Sequence, residues 1–84
     1  MNSDDAPTAT ELRALIAHLL AGAAGGSEER WAALVGEVEK LPIAMHPRCN
    51  WRVVPGGSAS EQEAIGKAIE LVRGQHPYVR SPTA

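Results

Sequence analysis

The sequence predicts an α+β domain: an N-terminal helical hairpin followed by a small β-β-α-β unit with a two- or three-stranded sheet. Three observations carry that expectation. Leu12, Leu15, Ile16, Leu19 and Leu20 recur at i, i+3, i+4, i+7 and i+8, the spacing of one helix face. Trp31, Leu34, Val35, Val38 and Leu41 repeat the pattern after a glycine-rich gap. The block Asn50 to Arg80 then reads as a short strand, a glycine turn, a capped helix and a second short strand.

The first helix starts at a capping box. The Thr8 hydroxyl can accept from the backbone at Glu11, whose carboxylate can reach back. Gly22, Gly25 and Gly26 end it. Ser27 caps the second helix, with Glu28 and Glu29 in the first turn, where the helix dipole favours negative charge. Its stripe runs to Leu41, and Pro42 biases that residue away from helical geometry. The short link between the two helices implies an antiparallel pair.

Ile43-Ala44-Met45 reads as a short strand and His46 to Asn50 as a turn. Trp51-Arg52-Val53-Val54 is a stronger strand, being aromatic and β-branched, with Trp51 and Val53 on one face. Pro55-Gly56-Gly57 breaks it. Ser58 with Glu61, or Ser60 with Glu63, caps a third helix carrying Ile65, Ala68, Ile69 and Val72, with Gly74 as its C-terminal cap. His76 to Val79 follows as an edge strand, where Pro77 lacks a donor. Strands 51–54 and 78–80 pairing in parallel would make the third helix a right-handed crossover, and 43–45 would complete the sheet as a hairpin. Residues 1–7 are expected as a tail, 8–80 as the domain and 81–84 as a second tail.

A chain of 84 residues without Phe has only Trp31, Trp51 and Tyr78 as aromatics. A domain of this size buries about 60–65% of its unfolded surface, so covering further apolar surface by self-association is expected to help. The net charge of −2 hides an asymmetry: seven acids against three bases up to Met45, three acids against five bases beyond it. A domain dedicated to duplex DNA carries a strong basic excess, and this chain does not, which argues against nucleic acid. The split suits opposed faces meeting in a homodimer or on a charged partner. A single cysteine, Cys49, leaves no intrachain disulfide and fits a reducing compartment. The start of the chain is acidic rather than leader-like, and the apolar run around Ala14–Ala24 falls short of the roughly 20 residues that span a bilayer. The expectation is a cytoplasmic protein with no membrane partner.

Four constellations bear on chemistry. The Gly56-Gly57 turn before a helix is a shape that binds anions, but Glu61 and Glu63 in the first turn oppose it, and no phosphate-loop pattern is present. His46, Cys49 and His76 are the soft ligands outside the first helix, yet structural zinc takes four ligands in paired spacing. Cys49 beside a histidine and Arg48 could form a nucleophile, without an evident oxyanion hole. Arg48, Trp51, Arg52, His76, Tyr78 and Arg80, with Arg73, gather the residue types that dominate binding hot spots.

The order Val72-Arg73-Gly74-Gln75-His76-Pro77-Tyr78 resembles the helix-to-strand junction of divalent-cation-tolerance proteins and related ferredoxin-like domains. The likeness covers about seven residues, Val79 stands where that pattern carries an acid, and no site or activity is carried over from it. The functional expectation is therefore a non-enzymatic interaction or regulatory domain without a cofactor. It would present Arg48, Trp51, Arg52, His76, Tyr78 and Arg80 to a protein partner or to itself. The alternative is a small metal- or anion-binding module using His46, Cys49 and His76 or the Gly56-Gly57 helix start.

Overall fold

Helix α1 (Ala9–Ala24) begins at the expected capping box: Glu11 N–H donates to Thr8 Oγ1 at 3.2 Å and Thr8 N–H to Glu11 Oε1 at 3.0 Å. The computed structural model describes residues 6–80; the segments 1–5 and 81–84, expected as tails, lie outside the described residues. Leu12, Ile16 and Leu20, spaced by four, form the buried line of α1, with Leu15 and Leu19 half-buried beside it. Gly25 takes a positive φ of 82° and ends the helix by donating to Ala21 O.

Helix α2 (Glu28–Val35) starts where Ser27 Oγ accepts from Arg30 N–H. It stops well short of the expected Leu41. Gly36 adopts φ 71° and donates to Ala32 O, a turn that a residue with a Cβ resists. The apolar spacing continues through Val38 because that residue enters the core from extended chain, and it is buried there. Arg13 Nε donates to Ala32 O at 2.8 Å and fastens α1 to the last turn of α2.

A short strand follows, β1 (Glu39–Lys40), which pairs antiparallel with β2 (Trp51–Arg52) in the register Glu39↔Arg52 and Lys40↔Trp51. Leu41 N–H donates to Asn50 O and extends the hairpin by one bond. Residues 43–45, expected as the first strand, are instead a turn in which Met45 and His46 N–H both donate to Pro42 O. The reason is burial: Ile43 and Met45 face solvent, so pairing there would cover no apolar surface. The strand Trp51-Arg52 is likewise shorter than the expected 51–54, because Val54 is exposed.

Helix α3 (Ala59–Gln75) opens on the Ser58–Glu61 capping box and buries Ile65, Ala68, Ile69 and Val72, as the stripe predicts. It passes through Gly74, the expected cap. His76, held out of helical geometry at φ −134° by the following Pro77, is the cap in its place. Beyond it the chain does not pair in parallel with residues 51–54. Asn50 takes that place: its backbone N–H donates to Pro77 O, and its side chain meets Val79. Arg80 then forms a parallel bridge with Thr8, and Arg80 N–H donates to Pro7 O. Ala6 and Pro7, expected in a tail, are thus held by Arg80.

The architecture is α+β: two packed N-terminal helices, a two-stranded antiparallel sheet and a C-terminal helix. Helix α1 packs against both α2 and α3, and one hydrophobic cluster joins all three helices to Trp51 and Val79. Among the described residues no helix is long and apolar enough to cross a membrane.

Both capping boxes make a pH prediction. The Glu61 carboxyl is held below its ordinary value of 4.5, first by the Ser58 backbone N–H, with Arg30 assisting; Glu11 is lowered in the same way by Thr8 and Arg80. Between the folded and unfolded values the unfolded chain binds more protons, so stability rises with pH there. The contribution is complete above the ordinary value and lost as pH falls through the lowered ones. Urea midpoints measured from pH 7 down to pH 3 should fall below about pH 4.5. The double variant Glu11→Gln, Glu61→Gln, whose amides can still cap, should show a flatter profile.

Candidate functional site

The six residues expected on one surface divide by burial. Trp51 is 1% exposed, so it belongs to the core and is corrected out of the surface. Its indole N–H donates to His76 O at 2.8 Å, and the Arg73 guanidinium lies 5.1 Å above its ring, a cation–π stack. The physical reason for its burial is position. Trp51 points inward from β2 and covers the end of α3, where a carbonyl at the helix terminus would otherwise lack a donor.

The other five reach solvent in part or whole. Arg48 is exposed in the loop between β1 and β2. Arg52 Nε donates across the strand pair to Glu39 Oε2 at 2.8 Å, and that carboxylate raises the guanidinium further above its ordinary value. His76 is half-buried at the end of α3. Tyr78 is 39% exposed and its hydroxyl donates to Pro47 O. Arg80 donates to Ala6 O at 2.7 Å and stands 3.6 Å from Glu11, engaged by the start of the domain.

Two exposed apolar residues that sequence reasoning left out share the loop with Arg48. Ile43 is 57% exposed and Met45 77%, both in the turn closed on Pro42 O. The available signal was their setting: apolar residues between Pro42 and Pro47 in a segment too short to be a buried strand. A third missed residue lies beneath. Asn50, 4% exposed, donates through Nδ2 to Val79 O at 3.1 Å and accepts through Oδ1 from Val79 N–H at 2.7 Å. One side chain thereby reproduces both bonds of a strand neighbour and holds the hairpin to the C-terminal segment.

The alternative constellations are not assembled. The Cys49 thiol is directed to Trp51 O at 3.4 Å rather than to an imidazole, and His46 lies exposed in the loop. Among the described residues no group of three or more His, Cys, Asp or Glu is placed to hold a metal ion, so His46, Cys49 and His76 do not make a ligand set. At the Gly56-Gly57 turn the anion position is taken. Ser58 N–H donates to Glu61 Oε1 at 2.9 Å and Glu61 Oε2 accepts from Arg30 at 2.9 Å, so the helix already carries its own carboxylate. Gly56 N–H is spent on Leu34 O. Gly57, at φ 94°, leaves no spare room, since a Cβ there would come within 3.0 Å of Leu34 and Glu61 side-chain atoms.

Compared with known proteins, the chain matches no protein-family model, no curated protein and no solved structure.

Proposed function

We propose that this chain is a non-enzymatic interaction domain whose partner-binding face is the hairpin loop 42–48 together with Tyr78. The observation that carries the reading is the exposure of Ile43 and Met45 on a turn fixed at both sides. Pro42 O accepts two backbone N–H groups, and Pro47 O accepts the Tyr78 hydroxyl. A loop braced before binding loses little freedom on docking, so its apolar contacts translate more fully into affinity. Arg48 gives this face a charged rim, with His76 and Arg52 following on the adjoining elements. Rim charges of this kind steer association and select partners more than they add affinity. The partner is a protein that offers an apolar hollow edged by acids. A cytoplasmic setting is part of the proposal and rests on the single free thiol.

Affinity capture from cell lysate, with the tagged wild type beside the double variant Ile43→Asp, Met45→Asp, tests the reading. Both positions are exposed, so the variant should keep its circular dichroism and melting temperature while losing a partner the wild type retains. Arg48→Glu should slow association of that partner and reverse its salt dependence. Retention of every wild-type partner by the double variant would overturn the proposal.

A further inference from the structure

A second face lies away from the loop. Between the C-terminal half of α1 and residues 60–71 of α3 runs an apolar groove of about 480 Å³, lined by Leu19, Ala23, Ser60, Ala64 and Ala68 among others. Leu71 stands on its rim and is 66% exposed. Glu63 and Lys67 complete the rim one helical turn apart, 3.7 Å from each other and largely in water.

We infer that this groove is the two-fold interface of a homodimer, in which α3 of one copy lies antiparallel to α3 of the other and each Leu71 enters the other copy's groove. A two-fold interface uses the same patch twice, so the patch must be complementary to itself. This one holds both a protruding apolar side chain and the hollow to receive it. Its charges obey the same condition. An antiparallel pair crossing at the level of Ile65 sets Glu63 of each copy against Lys67 of the other, giving two symmetric ion pairs. The spacing also agrees. At about 1.5 Å rise per residue, Leu71 lies about 9 Å from that level and Ser60 about 7.5 Å from it on the opposite side. Each Leu71 therefore arrives beside Ser60, at one end of the other copy's groove. With one acid and one base on the rim, the face offers no net field to a strongly charged partner. A second copy, by contrast, covers the exposed Leu71 and extends a core that contains no Phe.

Sedimentation velocity across a concentration series tests this, because the dimer must dissociate on dilution. Leu71→Glu should leave a monomer with unchanged circular dichroism. Glu63→Lys and Lys67→Glu should each raise the dissociation constant by about tenfold through two like-charge contacts. Mixing those two single variants should restore a dimer, since one copy then carries bases at both positions, 63 and 67, and the other carries acids at both. A wild type that stays monomeric at every concentration overturns the inference. So does a dimer indifferent to Leu71→Glu, or a mixture no tighter than either variant alone. None of these results bears on the loop proposal, whose variants lie at Ile43 and Met45.

Discussion

Trp51→Ala is expected to lower stability by about 3–5 kcal/mol and the melting temperature by about 15–25 °C. A domain of this size holds about 5–10 kcal/mol in total, so the variant would lose about half of its stability. The effect has three sources. The indole is among the largest fully buried side chains, and its removal leaves a cavity in the single core that it shares with Ile65 and Val72. His76 O loses its donor, and Arg73 loses the ring that covers it. Trp51→Phe separates these terms: it keeps most of the volume, drops the indole N–H and should cost about 1–2 kcal/mol. Thermal and urea unfolding of both variants measure the difference. If Trp51→Ala melted within a few degrees of the wild type, Trp51 would not be the core residue described.

Asn50→Leu is expected to cost about 2–4 kcal/mol although it places an apolar side chain in a buried site. The loss is that of two partners at once, because Val79 N–H and Val79 O are both left unpaired away from water. Asn50→Asp gives a sharper test. Its carboxylate could still accept from Val79 N–H but would face Val79 O with a second negative oxygen. Burial and that contact raise the folded carboxyl above its unfolded value, so the destabilisation is present at neutral pH and shrinks as the group protonates. Relative to wild type at the same pH, the deficit of Asn50→Asp should narrow as pH falls from neutral and level off below about pH 4. A deficit independent of pH would contradict the two-way bond to Val79.

The helices were legible because their determinants are local. Thr8, Ser27 and Ser58 each cap within three residues, and Leu12, Ile16 and Leu20 or Ile65, Ile69 and Val72 repeat on one face. Of the sheet, the Trp51-Arg52 strand was legible but its partner and register were not, because strands of two residues are defined by a partner about a dozen positions away and leave almost no periodic trace. Val38 illustrates the failure: it falls on the helical spacing of Trp31 and Val35, yet reaches the core from extended chain after Gly36. The candidate surface was legible in part. Arg48 and Tyr78 are exposed, as a surface role requires, whereas Trp51, of the same residue class, is interior. An aromatic beside an arginine suits a binding face and a buried cation–π stack equally well, and only the packing distinguishes them. Asn50 gave no signal, since its role depends on Val79, far along the chain.

The most direct test of the interaction reading is site-specific photo-crosslinking in living cells, with a photo-reactive phenylalanine analogue in place of Met45 and, as control, in place of the exposed Glu29 on α2. A discrete protein adduct at position 45, absent at position 29 and lost when Ile43→Asp is added, is the predicted result. No adduct at position 45, or the same adduct at both positions, would contradict a partner-binding loop.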